Sequence, residues 1–447
     1  MAKITGHGGA GNTTGANFLW EIGDKRFLID CGMEQGGRAS FERNRRPFPY
    51  DPKSIDALFV THAHIDHIGR IPKLVKEGFK GEIYSTNETR ELSNLLLMDA
   101  VKIGREERES LYSIEDVNHT MSLWKTLKYH EPKDFGPVSL ELLDAGHVLG
   151  SSLLLFKNQK GEKILFSGDI GNSPSPILRD VEKVSNLKYL LMESVYGDRI
   201  HEGREEREER FKQVLGEAIE RGGAILIPAF SLERTQEILS LLDNLFENKI
   251  LKSVPVYLDS PLATRITSVY EKVRELYNAG ASEEIKRGDQ IFRFPSLKVT
   301  ARVEDSREIL DVKGPKIIIA GSGMSTAGRI LNHEKHYLPD PNSTLIFMGY
   351  QAVGTLGRLI QEGVKKVLID GEDVLVRAKI ESLSGFSGHA DSDALLNFVS
   401  ESADSLKKVF VAMGELKAEM YLAQRIRDEL GLEALAVEEG RSYEIDF

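Results

Sequence analysis

Short apolar runs recur along the chain, most of them four or five residues long, and many end at a glycine, a histidine or a carboxylate. Phe18-Leu19-Trp20-Glu21-Ile22 and Lys25-Arg26-Phe27-Leu28-Ile29 flank Gly23-Asp24, a two-residue hairpin signal, and the second strand runs out into Asp30-Cys31-Gly32. Ala57-Leu58-Phe59-Val60 predicts a buried strand that ends in Thr61-His62-Ala63-His64-Ile65-Asp66-His67. Ile68-Gly69-Arg70-Ile71-Pro72 then turns into a helix with Pro72 in its first turn. A helical stretch follows from Thr89 to Leu127, its charged run at 105–109 read as a solvated face. Leu142-Leu143-Asp144-Ala145-Gly146-His147 ends another strand with a histidine, and Tyr189-Leu190-Leu191-Met192-Glu193 ends one with a carboxylate. A second hairpin, Leu153–Phe156 with Lys163–Phe166, runs out into Ser167-Gly168-Asp169. Two hairpins that each deliver an aspartate beside a glycine imply a weak internal duplication. They predict two facing sheets with the ligands gathered at one edge.

After Tyr196 the pattern changes. His201 to Arg210 is almost wholly charged and opens a helix with Phe211, Val214, Leu215, Ala218 and Ile219 on one face, stopped by Gly222-Gly223. Strands at Ala224–Pro228, Val254–Leu258, Lys316–Ala320 and Thr344–Met348 alternate with helical patterns, which predicts a mostly parallel, doubly wound sheet. From Val374 the earlier pattern returns, through Gly385-Phe386-Ser387-Gly388-His389-Ala390-Asp391 and the strand Lys408–Ala412. The expected organisation is a first domain built from 1–197 and 373–447, with a second α/β domain, 198–372, inserted into it.

Composition narrows the class. With 447 residues, 41% hydrophobic and 28% charged, the chain has the make-up of a soluble globular protein of about two domains. One cysteine, Cys31, rules out an internal disulfide framework and suits a reducing compartment. The first residues run straight into glycine-rich sequence with no signal-peptide core, and no apolar stretch is long enough to span a bilayer. The expectation is a cytoplasmic protein with no membrane partner. The net charge of −11 argues mildly against a general nucleic-acid binder, although bound metal ions add positive charge where a phosphate must sit.

The candidate chemistry concentrates in the loop after Val60. Zinc takes about four nitrogen, oxygen or sulfur ligands. His62 and His64, two apart on an extended loop, can reach one ion, while Asp66 and His67 lie further along and serve a neighbouring one. His147 can complete the first set and Asp169 can bridge both. Two such ions side by side favour in-line displacement at phosphorus.

These stretches resemble the metallo-β-lactamase superfamily. Thr61 to His67 looks like its signature, Asp30 in Ile29-Asp30-Cys31-Gly32 resembles its first motif, Ala145-Gly146-His147 its third and Ser167-Gly168-Asp169 its fourth. The later part resembles the β-CASP subgroup, the nucleases of RNA 3′-end processing and maturation. The matching stretches are Glu193–Asp198, Ile227–Phe230, Asp259–Ala263, Gly321–Arg329 and Phe386–Asp391. The resemblance implies an αββα sandwich with an inserted β-CASP domain, and a zinc-dependent ribonuclease acting on single-stranded RNA by endonuclease or 5′ exonuclease cleavage. It implies that His62, His64 and His147 bind one Zn2+, that Asp66 and His67 bind the other, and that Asp169 lies between them. It implies as well that Asp30 supports the histidine loop and that His389, oriented by Glu193, protonates the leaving oxygen.

There is one departure. In the RNA-processing members the strand after the His389 helix ends in a histidine, followed by Gly-Glu, that binds the second zinc. Here that position is Met413, in Ala412-Met413-Gly414-Glu415, and a thioether is a poor zinc ligand. DNA-processing members also lack this histidine. The alternatives are therefore a weakly active or inactive nucleic-acid-binding scaffold, a nuclease acting on single-stranded DNA, and a hydrolase of thioesters, lactones or small phosphoesters, which the inserted domain disfavours. Ser322, Gly323, Arg329 and Arg358 are candidate phosphate contacts. His333 and His336 are read as facing a cleft or solvent, and a homodimer is a further candidate partner arrangement.

Overall fold

In the computed structural model, the described residues are 1–36, 38–106, 110–201, 203–349, 351–352, 354–383 and 385–447. The charged run at 105–109 lies outside the side chains so described. Two compact units divide the chain: Met1–Ile200 with His389–Phe447, and His201–Gly388.

The first unit contains two seven-stranded sheets. In one, the hairpin Phe18–Ile22 with Lys25–Ile29 pairs as its Gly-Asp turn predicts, Ile22 opposite Lys25, and Ala57–Phe59 adds in parallel. In the other, Lys163–Phe166 pairs antiparallel with Ser152–Asn158 and parallel with Tyr189–Met192, which pairs parallel with Lys408–Val411. The alternation that made each strand amphipathic buries one row of side chains between the sheets. Trp20, Phe27 and Phe59 from one meet Phe156, Phe166 and Phe410 from the other, with Trp20 and Phe156 ring centres 4.8 Å apart at an edge-to-face angle of 61°. Each fully buried aromatic of this kind contributes about 1.5–3 kcal/mol. The opposite faces of the sheets are covered by helices. Leu395, Val399, Leu422 and Ile426 pack on one, and Ile68, Ile71, Leu74 and Leu97 on the other.

The expected helical stretch 89–127 resolves into Asn87–Glu106 and Ile114–Leu123, but its end is a strand. Trp124–Thr126 pairs in parallel with Ile83–Ser85, because the Trp124 indole is buried and donates to Ser85 Oγ at 2.8 Å. Tertiary pairing overrides local periodicity here.

The second unit is built on a six-stranded sheet in which every pairing is parallel. Its edge strand is Lys379–Leu383, paired with Thr344–Met348. Residues 373–388 therefore group with this unit, and the compact division falls at 388/389 rather than at 372/373. Parallel pairing requires a crossover connection, and the hairpin Lys366–Ile369 with Glu372–Leu375 lies within it.

Candidate metal centre

The side chains that the loop, hairpins and strand ends carry converge at the C-terminal ends of strands from both sheets of the first unit. Asp30 follows Lys25–Ile29, Thr61 to His67 follows Ala57–Phe59, His147 follows Val138–Asp144, Asp169 follows Lys163–Phe166, and Glu193 follows Tyr189–Met192. The loop is anchored by its own backbone. His64 sits at the N-cap of the short helix Ile65–Ile68, the Asp66 carbonyl accepts from Ala16 N at 2.9 Å, and the His67 carbonyl accepts from Cys31 N at 2.8 Å. Asp169 is presented by Gly168, whose φ of +54° suits glycine. A Cβ there would lie 2.6 Å from the Thr61 Cβ.

His62 Nε2 and His147 Nε2 each lie 3.1 Å from His64 Nδ1. Asp169 Oδ2 lies 3.4 Å from His62 Nε2 and 3.5 Å from His147 Nε2. Four donors bound tetrahedrally at about 2.1 Å stand roughly 3.4 Å from one another, so these spacings are those of a zinc-sized ion's ligand shell. Burial, with the neighbouring histidines adding to it, holds His62 and His64 well below the usual histidine range. Both imidazoles are thus neutral, the form that binds metal. Burial opposes ionisation of Asp169, but the charge of His67 overcomes it and holds the carboxyl well below its ordinary value.

A second set sits beside the first. His67 Nε2 is 3.4 Å from Asp169 Oδ1 and 3.9 Å from Asp66 Oδ2. His67 Nε2 and Asp169 Oδ1 are both buried without a hydrogen-bond partner, which is costly for polar atoms unless a cation satisfies them. Burial pushes the Asp66 carboxyl up to about 6. These three residues therefore fit a second ion, and Met413 adds no imidazole to them. It is 3% exposed within the aromatic core between the sheets, and its Sδ is in the space a Cβ on Gly9 would need.

The tautomers are set from behind. Asp30, 2% exposed, accepts from Thr61 N at 2.8 Å through Oδ1, and through Oδ2 from Thr61 Oγ1 and His67 Nδ1, both at 2.8 Å. Because the Thr61 hydroxyl donates to Asp30, it accepts from His62 Nδ1 at 3.0 Å. Both histidines therefore keep a proton on Nδ1, and Nε2 of each is the atom left for a metal in the donor cluster. Thr61 is the functional residue that sequence reasoning quoted without a role. Its signal was a hydroxyl directly ahead of a ligand histidine at a strand end.

His389 stands next to these donors. Its Nδ1 is 3.2 Å from both oxygens of Glu193 and 3.8 Å from Asp169 Oδ2, and its ring centre is 4.7 Å from that of His147. Glu193 is itself fixed by Ile170 N at 2.6 Å and Val195 N at 3.3 Å. Burial lowers the His389 pKa, but Glu193 and Asp169 outweigh it and push the ring up to about 9.

The candidate phosphate contacts of the second unit all have partners within that unit. Arg329 donates to Asp259 Oδ1 at 2.7 Å and to the Thr300 carbonyl at 3.0 Å, and Arg358 donates to Glu362 at 2.7 Å. Ser322 closes its own loop. Its N–H donates to the Ala327 carbonyl and its hydroxyl accepts from Thr326 N at 2.9 Å, while the Gly323 carbonyl accepts from Gln351. His333 does not face a cleft or solvent. It is 1% exposed and sits 2.7 Å from Asp259 Oδ2, and together with Ser306, Thr300 and Arg329 it holds that buried carboxyl at about 2 against desolvation. His336 is exposed.

Family models match along most of the chain. Residues 13–229 match the metallo-beta-lactamase superfamily, 235–360 the Beta-Casp domain, and 373–437 the Zn-dependent metallo-hydrolase RNA specificity domain. The chain is 38% identical to "Ribonuclease TTHA0252" of Thermus thermophilus over 89% of its own length and 90% of the relative's. It belongs to the β-CASP group of the metallo-β-lactamase superfamily. Relatives in that group include "Transcription termination factor FttA" of Methanosarcina mazei, 31% identical over 97% of this chain and 70% of that one, and its namesake in Pyrococcus abyssi, 32% identical with the same shares. A solved structure described as a protein of unknown function from Enterococcus faecalis V583 shares the fold at 14% identity, with a TM-score of 0.57 over 99% of both chains. As expected of this superfamily, the first unit is a metal-binding hydrolase domain. No helix among the described residues is long and apolar enough to cross a membrane.

Proposed function

We propose that this chain is a zinc-dependent ribonuclease that hydrolyses phosphodiester bonds of single-stranded RNA in RNA processing or decay. The observation that carries the reading is the set of four donors at 3.1–3.5 Å spacing, standing directly beside the His389–Glu193 pair. The ribonuclease relative and the RNA-specificity match at 373–437 favour RNA as substrate.

In this reading His62, His64, His147 and Asp169 hold one ion, and Asp66, His67 and Asp169 hold a second. When bound, the zinc lowers the pKa of its water toward about 7 and polarises the phosphoryl oxygens. The chain's own residues do the rest. Asp30 and Thr61 keep the His62 and His67 protons on Nδ1, so that Nε2 of each remains a ligand. Glu193 accepts a hydrogen bond from His389 Nδ1–H and fixes the ring, which leaves Nε2 to pass its proton to the departing ribose oxygen. Water then returns that proton.

Met413 favours one secondary reading, a second ion held weakly by Asp66, His67 and Asp169 without a fourth protein ligand. Metal analysis separates the cases: about two zincs per chain for the dinuclear enzyme, about one for the weakened site. The principal test is cleavage of end-labelled single-stranded RNA, its duplex form and single-stranded DNA by zinc-loaded protein and by Asp169→Ala. Loss of at least about 10³-fold in the variant is expected. No cleavage by the wild type, or equal cleavage by both, overturns the proposal.

A further inference from the structure

The second unit carries a group of carboxylates that the nuclease reading does not use. Asp243 and Glu247 stand one turn apart on the helix Arg234–Glu247, and Asp289 lies in the turn after the helix Ala279–Lys286. One oxygen from each is within 4.8 Å of the other two. Such clusters are common on protein surfaces, but this one is not a surface cluster at its base. Asp243 is 2% exposed and its Oδ1 has no hydrogen-bond partner, and Oδ1 of Asp289 is also buried without one. No lysine or arginine among the described residues forms an ion pair with any of the three. The Asp289 backbone is held in place by its N–H bond to the Glu284 carbonyl at 3.2 Å.

A buried carboxylate, Asp243, that faces the half-buried Asp289 without a donor is unfavourable when both are ionised. Desolvation, then the charges of Asp289 and Glu247, push the Asp243 carboxyl up to about 8. A proton shared between Asp243 and Asp289 relieves one charge only, whereas a divalent cation satisfies all three groups.

We propose that Asp243, Glu247 and Asp289 bind a hard divalent cation, calcium or magnesium. The donors are all carboxylate oxygens, with no imidazole or thiolate, which selects such ions over zinc. Access exists on the Asp289 side, where that residue lines a cavity of about 220 Å³ with Tyr277, Ile291 and Phe292. Water in that space completes the coordination shell. The bound ion clips the end of the helix Arg234–Glu247 to the segment carrying Asp289, and so acts as a staple within the second unit.

The test uses the full-length, zinc-loaded protein titrated calorimetrically with calcium chloride and, separately, magnesium chloride. One site per chain with a Kd of about 10⁻⁴ M or tighter is expected for at least one of the two ions, with an upward shift in Tm. Glu247→Gln and Asp289→Asn, at exposed and half-buried positions that leave the fold intact, weaken binding by about tenfold or more. Asp243→Asn removes the buried charge. It raises Tm in chelator relative to wild type and abolishes the cation-dependent shift. The proposal is overturned if neither ion binds the wild type, if Glu247→Gln and Asp289→Asn bind as wild type does, or if the calcium-dependent shift survives in Asp243→Asn. Zinc content measured in the same samples should match wild type in every variant; a cation signal that follows zinc loss instead also overturns it.

Discussion

Asp30→Asn is the sharpest perturbation of the donor cluster, because it changes proton positions and little else. Asp30 has a φ of +57°, and asparagine tolerates that left-handed conformation about as well as aspartate. The side-chain volume is unchanged. In the wild type, the carboxylate accepts three hydrogen bonds of 2.8 Å, from Thr61 N, Thr61 Oγ1 and His67 Nδ1. An asparagine can still accept from Thr61 N through its carbonyl, but its NH2 then points at Thr61 Oγ1 and His67 Nδ1. His67 can meet a donor only by losing its Nδ1 proton, which moves the proton to Nε2, the atom now 3.4 Å from Asp169 Oδ1. A protonated Nε2 cannot be a ligand. One charged acceptor is exchanged for a neutral one, a loss of about 2 kcal/mol in stability, and the wrong tautomer costs about 10–100-fold in metal affinity. Competition titration against a chromophoric zinc chelator reads the affinity, and thermal unfolding of the metal-free protein reads the stability. Zinc affinity equal to wild type at both sites refutes the reasoning. So does an affinity loss fully explained by unfolding of the metal-free variant.

Three further outcomes follow from the same geometry. Glu419 is fully buried, accepts from Gly11 N at 2.8 Å, and is pushed by burial from 4.5 up to about 8. The native state therefore holds a proton that the unfolded chain releases, so stability falls as pH rises from about 4.5 through 8. Glu419→Gln flattens that slope and gains about 2 kcal/mol at pH 9 with little change at pH 4.5; parallel denaturation curves for both proteins across that range would contradict this. Met413→His should raise zinc occupancy toward two per chain while costing about 2 kcal/mol of core packing, measured by metal analysis and denaturation; unchanged occupancy disposes of position 413 as a ligand site. Cys31 is fully buried, with its thiol pushed by burial up to about 12. It should react with a thiol reagent only as fast as the protein unfolds, and rapid labelling of the native protein would show the packing around it to be wrong.

Much of the donor set was legible because it is local. His62, His64, Asp66 and His67 lie within six residues at a strand end, and no packing requirement produces that density. Asp169 and His147 were legible for a related reason, since each ends an apolar run beside a glycine. His333 was not. Its surroundings in sequence are polar and helical, and its partner Asp259, which also accepts from Thr300 and Ser306, comes from another element. The pairing of Arg329 was hidden for the same reason, because its partner Asp259 is 70 residues away. Trp124 read as part of a helix until a strand edge was there to receive it.

The sequence by itself determined which residues sit at strand ends, since apolar periodicity and glycines mark where each strand stops. It also determined the chemistry, because ligand atoms are a property of residue type. Only the tertiary structure decided which lone pairs meet. The donor spacings of 3.1–3.5 Å, the Asp30–Thr61 bonds that set two tautomers, and the orphaned oxygens of Asp169 and Asp243 depend on segments far apart in the chain. The same holds for Met413. Its identity is written in the sequence, but its retreat into the core beside Gly9 follows from the packing of two sheets, which no local pattern encodes.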